Sequence, residues 1–378
     1  MARKGGLNFF SAAVNISRLL VAACLIFSGF VKAVDPVGTQ IKIQDYMSAF
    51  GIGGLTSSDV LIAACVLAGF EFLLGVYLLF GIYRHGTSVC LLAIVSAFTA
   101  LTLYLALKNP VSDCGCFGDA LVLTNWQTFC KNLFLLVLSI HILVSEDRIR
   151  PLIRERRSWL VTLVTVLLIG HFMFSNIRNL PVFDYRPYKV GTNIREAVSK
   201  GDDRFGDFFM MDDAFDDQTE VILNSPGFTF LLVSPFLEEA SQENIDLIND
   251  MYYYCKDAGY PMYGVTASGI DEIEHWKDVT YGEYDFLQAD DILLKTMIRS
   301  NPGVVVLRDG VIAAKWSDWN IPLDSHQSVR MEQLGKAHPL LSVRYVRNTF
   351  IAFYFILPYL LVLLIDWLCR KKRFDKHR

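Results

Sequence analysis

The 378 residues are 53% hydrophobic with a mean hydropathy of +0.34, and they carry a net charge of only −4. That apolar excess is too large for an ordinary soluble protein, yet a long middle stretch is polar and acidic, so the chain reads as a membrane protein carrying one soluble domain. The surplus of about a dozen negative charges over 178–346 excludes nucleic acid and anionic membrane surfaces as partners of that domain.

Apolar runs of about 20 residues, long enough to span a bilayer, occur near 14–34, 58–82, 87–108, 125–145, 157–176 and 348–369. The first carries internal polar residues and has no small-residue cleavage site close by, which argues against a removed signal peptide. Lys and Arg gather on the cytoplasmic side of membrane helices. Here Arg3 and Lys4 precede the first run, and Arg84 and His85 lie between the second and third. Arg148, Arg150, Arg154, Arg156 and Arg157 lie between the fourth and fifth, and Arg370 to Arg373, Lys376 and Arg378 follow the sixth. If all six runs span, these segments fall on one side. Both termini are therefore expected in the cytoplasm, and the 35–57 loop, the loop around Cys114 and residues 178–346 outside it.

The chain divides accordingly into four short-looped membrane helices (1–145) and a basic loop with a fifth helix (146–177). An extracytoplasmic domain (178–346) and a sixth helix with a basic tail (347–378) follow. Leu180 to Val190 has two prolines and no helical period, which predicts an extended connector. Asp202, Asp203, Asp212, Asp213, Asp216 and Asp217 read as a solvated loop or hairpin edge; no His or Cys joins them, which argues against a metal site.

From Phe228 the pattern becomes regular. Phe228 to Phe236 predicts a strand, and 237–257 a helix with Leu237, Ile245, Ile248, Met251 and Cys255 on one face. Pro261 to Ala267 predicts a second strand, 269–278 a helix, Tyr284 to Ala289 a strand and 290–299 a short helix. Val304–Leu307 and Val311–Trp316 flank Asp309-Gly310, a strong hairpin signal, and a last helix is expected near 326–337. That order over about 225–338 resembles the thioredoxin fold, with Pro302 at the family's cis-proline position. The resemblance implies a redox-active Cys-x-x-Cys where the first strand ends, but the residues there are Ser234-Pro235-Phe236-Leu237. The expectation is a thioredoxin-like domain without redox chemistry, in which Pro302, Ser234 and Pro235 bind clients.

Eight cysteines are present. Cys24, Cys65, Cys90 and Cys369 lie in apolar runs, where a small buried hydrophobe is the ordinary reading; Cys130 is noted for lying close to the Cys114 loop. Cys114 and Cys116 sit in Val-Ser-Asp-Cys-Gly-Cys-Phe-Gly-Asp (111–119), between two membrane runs. A disulfide across a single glycine closes a small, strained ring, and strain makes such a bond labile. Lability suits an exchange catalyst; a thiolate site for a soft metal such as Cu(I) and a merely structural loop are the competing readings. Asp113 and Asp119 are expected to raise the thiol pKa values. Glu71, deep in the second run, must be neutral or paired, and Arg18 and Lys32 are expected to snorkel toward the interfaces. His141 and His171 are expected at membrane boundaries.

Arg18, Ser28-Gly29-x-x-Lys32, Glu71-x-x-x-Gly75 and Cys114-Gly-Cys-Phe-Gly118, spread over four short-looped helices, resemble the DoxX-like membrane proteins, specifically the MauE (methylamine-utilisation) branch. The resemblance implies a four-helix bundle that assists maturation of disulfide-containing envelope proteins, with cysteine-bearing clients as partners. A more distant analogy, to vitamin K epoxide reductase and DsbB, raises a quinone as cofactor. The expectation is thus a multi-pass α-helical bundle of six transmembrane helices with an inserted α/β thioredoxin-like domain, in a cell inner membrane. Cys114 and Cys116 would act as the redox pair and Glu71 as a supporting catalytic group. The alternative is a non-catalytic scaffold that recruits a partner through its soluble domain.

Overall fold

The computed structural model describes residues 2–111, 113–322 and 340–375. The helix expected near 326–337, with Lys376 and Arg378, lies outside them. The chain forms two compact units, Met1–Phe174 with Leu340–Arg378, and Ser175–Pro339.

The first unit contains α1 (Ala2–Val34), α2 (Pro36–Phe50), α3 (Ser57–Phe80), α4 (Arg84–Lys108), α5 (Asn125–Val144), α6 (Ser158–Arg178, which runs into the second unit) and α12 (Leu340–Asp375). Among the described residues six stretches are long and apolar enough to cross a membrane: Ser11–Val34, Ser57–Phe80, Arg84–Lys108, Asn125–Val144, Glu155–Arg178 and Arg347–Cys369. They match the six apolar runs to within a few residues. Thr56 and Thr124 start α3 and α5 with capping boxes closed by Asp59 and Gln127, which satisfies amides that would otherwise be orphaned.

Residues 36–50, expected as loop, are instead the helix α2. Asp35 caps it by accepting from the Gly38 amide, Pro36 occupies its first turn, and Gly51 ends it in the left-handed region at φ 66°. Its composition lacks a clear apolar stripe, which hid it from a reading based on hydrophobic runs. The cap, the early proline and the terminal glycine were the available signal.

Packing of α1 on α3 depends on two glycines. A Cβ on Gly29 would lie 2.6 Å from the Phe72 backbone nitrogen, and one on Gly75 would lie 2.8 Å from the Ile26 nitrogen. The absent side chains let the two backbones approach closely, as small residues do in membrane bundles. At one end of the unit the α3–α4 turn meets the segment after α5: Leu152 N donates to Phe80 O at 2.9 Å and His85 Nδ1 lies 2.9 Å from Glu146 Oε1. Arg18 points to the same end, its guanidinium 3.4 Å from the Arg150 carbonyl, and is buried there. His141 pairs with Ser17 at 3.1 Å and His171 with Tyr354 at 3.0 Å.

The second unit is a five-stranded sheet of β1 (Phe228–Ser234), β2 (Met262–Thr266), β3 (Asp285–Gln288), β4 (Gly303–Arg308) and β5 (Val311–Ser317), ordered β3-β2-β1-β4-β5. β1, β2 and β3 run parallel, and β4 and β5 join antiparallel. The helices are α7 (Ile194–Ser199), α8 (Thr219–Asn224), α9 (Ile245–Ala258), α10 (Ile270–Thr280) and α11 (Asp291–Met297). β1 is central and buried along its whole length, and apolar clusters cover both faces of the sheet. One includes Ile194, Leu231, Val265 and Leu294, the other Phe230, Met251, Cys255 and Val304. Asp309 and Gly310 turn the β4–β5 hairpin with φ of 51° and 78°, as the Asp-Gly pair predicts. The parallel β1–α9–β2 crossover, the antiparallel hairpin and a cis Asn301–Pro302 bond entering β4 make this a thioredoxin-like domain, with α10 and β3 extending the sheet on its parallel side.

One expected helix is shortened. Residues 237–239 form a single 3-10 turn, and α9 begins only at Ile245. Leu237 is still buried, because the Leu237 amide donates to Ser268 Oγ at 2.9 Å and fixes the turn against the end of β2. The acidic stretch is a small hairpin edge: Asp212 accepts from the amides of Ala214 and Asp216 at 3.0 and 2.9 Å, and Met211 bridges to Gln288 of β3. The 180–190 connector is pinned to β5 through Lys315, which donates to Asp184 at 2.8 Å and to the Tyr188 carbonyl at 2.9 Å.

Gly29→Ala tests the close approach of α1 and α3. The new methyl must push α3 away, so we expect a loss of about 1–3 kcal/mol, read as a lower unfolding temperature in detergent. An unchanged temperature would refute the close-packing account.

Candidate functional site: a thiol pair over a buried ion pair

Because α1 and α3 lie so close, Lys32 and Glu71 meet between them, with Lys32 Nζ 2.9 Å from Glu71 Oε2 and the two side chains 6% and 1% exposed. Lys32 therefore does not snorkel to the interface. Its ammonium also donates to Ser28 Oγ at 2.7 Å and to the Cys116 carbonyl at 2.8 Å, so its three protons have three acceptors. Ser28 Oγ lies 2.7 Å from Glu71 Oε2 and 2.8 Å from the same carbonyl. Glu71, expected to be neutral or paired, is paired. It is linked to the thiol loop through Lys32 and Ser28, both of which donate to the Cys116 carbonyl.

The loop carrying the thiols is held from the other side by α2. Lys42 donates to Asp113 Oδ2 at 3.0 Å, and Tyr46, one turn on, donates to the Cys114 carbonyl at 2.6 Å. Asp113 Oδ1 accepts from the Gly115 amide at 2.8 Å. Gly115 sits at φ 63° with Lys42 Cγ 3.0 Å from where a Cβ would be, so a side chain there would be strained and crowded. Cys114 and Cys116 are free thiols whose sulfurs lie 2.7 Å apart. Cys114 is buried and Cys116 half-buried.

The two thiols are not equivalent. A hydrogen bond from Cys114 holds Cys116 down to about 7, against its burial; Lys131 and Lys32 pull the same way and Glu71 opposes them. Cys114 is pushed up by that same hydrogen bond and by burial. The hydrogen bond between the two sulfurs, not Asp113 or Asp119, is the largest cause acting on either thiol; Asp113 is committed to Lys42 and the Gly115 amide. The surroundings thus favour the thiolate at Cys116 over Cys114.

Lys131 was not singled out from the sequence. It lies in the second turn of α5, its Nζ 4.3 Å from the Phe117 ring centroid, and no carboxylate pairs with it among the described residues. A lysine inside an otherwise apolar run was the available signal. Its neighbour Cys130, noted for its proximity to the loop, is exposed and faces away. Below the loop lies a cavity of about 230 Å³ with a polar end of Lys32, Lys131, Tyr46 and the thiols, and apolar walls that include Phe98, Leu101 and Leu135.

In the second unit Ser234, Pro235 and Pro302 are close together but buried. Ser234 Oγ donates to Asn301 Oδ1 at 2.6 Å, Asn301 Nδ2 donates to the Phe236 carbonyl at 2.9 Å, and the Asn301 carbonyl accepts from the Ser241 amide at 2.9 Å. Ser234, Pro235 and Pro302, the residues expected to bind clients, are thus buried, with the Ser234 hydroxyl committed to Asn301. Cys255 is buried on α9, and its thiol is pushed up to about 12 by that burial, so no reactive sulfur replaces the missing pair.

Residues 10–145 match the family model for methylamine utilisation protein MauE. That stretch holds α2, the Cys loop and the whole Lys32–Glu71 pair. No curated protein matches the chain. Among solved structures, one described as a "putative protein disulfide isomerase from Bacteroides thetaiotaomicron" aligns with 14% identity and a TM-score of 0.26, over 30% of this chain and 76% of that one. The thioredoxin-like assignment of the second unit rests on its own strand order and connections.

Two measurements probe the MauE-like site. Alkylation of Cys116 should rise with pH to half its maximum near 7, as the thiolate forms. Lys131→Gln should move that midpoint up and Lys131→Arg should largely restore it. A midpoint indifferent to Lys131 would remove it from the site. Glu71→Leu leaves the Lys32 charge buried and unpaired, at a cost of about 3–5 kcal/mol, and Lys32→Met in the same chain should recover most of that loss. Additive losses in the double variant would show that the pair is not coupled.

Proposed function

We propose that this protein carries out thiol–disulfide exchange for envelope proteins at Cys114 and Cys116. The single observation that carries the reading is the unequal pair: a half-buried, low-pKa Cys116 beside a buried, protonated Cys114, on a loop braced from two helices. The Cys116 thiolate attacks a client disulfide, forming a mixed disulfide and releasing one client thiolate. Cys114 then gives up its proton and attacks Cys116, leaving the oxidised pair and a reduced client. The same steps in reverse insert a disulfide into a client. The apolar walls of the cavity and Lys131 at its polar end suit a quinone ring, which when bound supplies a two-electron acceptor for the reduced pair.

The second unit supports this chemistry as a client-holding domain without a thiol of its own. At its corner the outward residues are the half-buried Phe236 and the exposed Glu238 and Glu239, and client contact is assigned to them in place of the buried Ser234, Pro235 and Pro302. We further place the protein in a cell inner membrane with both termini in the cytoplasm and the Cys loop and residues 178–346 outside. The distribution of Arg and Lys supports this. So does the geometry, because the segments around Arg84 and Arg150 share one end of the first unit and α2 and the Cys loop share another.

Cys116→Ser should abolish mixed disulfides with clients, whereas Cys114→Ser should accumulate them, since the resolving thiol is gone. Both are read by non-reducing capture of tagged full-length protein from its native membrane. Identical capture profiles in wild type and both variants would defeat exchange and leave a non-catalytic scaffold.

A further inference from the structure

The cavity beneath the loop is lined by a third thiol. Cys24, Ser28 and Lys32 follow at four-residue spacing along α1 and so share one face of that helix. Ser28 and Lys32 both reach the Cys116 carbonyl at 2.8 Å. Cys24 lies one turn deeper, about 6 Å along the axis, and lines the same cavity as Cys114 and Cys116. Lys131 lines that cavity too. Among the described residues no three His, Cys, Asp or Glu side chains converge closely enough to hold a metal ion. What these thiols share is therefore a cavity and a cation.

We propose that Cys24 is a third exchange thiol, which draws the disulfide from the Cys114–Cys116 pair into the cavity within the helices. The inference rests on exchange at that pair. Cys24, as its thiolate, attacks Sγ of Cys116 in the oxidised pair. The Cys24–Cys116 bond forms and the Cys114–Cys116 bond breaks. Cys114 leaves as the thiolate, faced by the Tyr46 hydroxyl, and takes up the proton that Cys24 released. One disulfide is present before and after, so no outside oxidant enters the step. The new bond lies deeper than the old one and frees Cys114 at the loop. Lys131 lines the same cavity as Cys24 and Cys116, so one ammonium is available to the attacking thiolate in each state.

The test uses the full-length protein in its native membrane. Wild type, Cys114→Ser, Cys114→Ala and Cys24→Ser/Cys114→Ser are oxidised with diamide, digested without reduction and mapped for linked peptides by mass spectrometry. A Cys24–Cys116 link in most of the Cys114→Ser and Cys114→Ala chains, absent when Cys24 is also replaced, is the expected result. A Cys114–Cys116 link in wild type with no Cys24–Cys116 link in either single variant would overturn the relay while leaving exchange at the pair intact. No Cys114–Cys116 link in wild type would overturn the exchange reading and the relay with it. As a readout that a structural role would not move, Cys24→Ser should slow re-formation of the Cys114–Cys116 disulfide from the reduced pair at least tenfold in the native membrane. The alkylation midpoint of Cys116 should stay in place.

Discussion

A lysine ammonium taken out of water between apolar helices needs an acceptor for each of its protons, and at Lys32 a carboxylate, a hydroxyl and a backbone carbonyl supply them. Without them the desolvated charge would cost several kcal/mol. The carbonyl belongs to Cys116, so the requirement that stabilises the buried charge also sets where the thiol loop sits. Everything upstream serves this contact. Gly29 and Gly75 bring α1 and α3 close enough for Lys32 and Glu71 to meet, and Ser28 fills the remaining acceptor position. Everything downstream inherits it. The loop cannot drift from the bundle without stranding an ammonium, and α2 closes the other side through Lys42 and Tyr46.

The two units treat cysteine in opposite ways. In the first, sulfur is placed on a loop beside cations, anchored through the Cys114 and Cys116 carbonyls and the Asp113 side chain. The thiols are thereby left free to react while their backbone is fixed. In the second, the position where a thioredoxin-like domain carries its thiols is filled by Ser234 and Pro235, and the Ser234 hydroxyl is committed to Asn301. Its sheet edges are also partly covered by its own chain, at Thr192 against Ile312 and at Met211 against Gln288. Such covering protects an edge from indiscriminate pairing.

The strands and membrane helices were legible because each is written as a hydrophobic period or run, and burial acts on those patterns directly. Phe228–Ser234 and Val311–Ser317 appear almost residue for residue. α2 was not legible in that way, because it is held by caps and by contacts to the Cys loop more than by an apolar face. The candidate site divides along the same line. Cys114, Cys116 and Glu71 stand out as chemically expensive residues in a membrane setting. The partner of Glu71 did not stand out, since Lys32 lies 39 residues away and only the close approach of two helices joins them. Lys131 and Tyr46 are likewise visible only once α2 and α5 are packed around the loop. The burial of Ser234, Pro235 and Pro302 is the converse case: fold position was readable, but whether that position faces solvent depends on the side chain of Asn301.

The charges around the cavity tie redox state to structure. Lys32 is neutralised by Glu71 and Lys42 by Asp113, whereas among the described residues no carboxylate pairs with Lys131, so a Cys116 thiolate would be its counter-charge. When Cys114 and Cys116 join in a disulfide that negative charge disappears, and Lys131 faces a cavity with no counter-charge. The oxidised pair is therefore electrostatically disfavoured relative to the reduced one. In a low-dielectric setting even a single uncompensated charge is significant, so oxidation of the pair favours whatever restores a negative or electron-rich group beside Lys131. On the proposed reading a client thiolate entering from the loop side does so, and so does a Cys24 thiolate. On the proposed exchange, the cation that adds to the Cys114 hydrogen bond in favouring the Cys116 thiolate would also attract the next thiolate in the oxidised state.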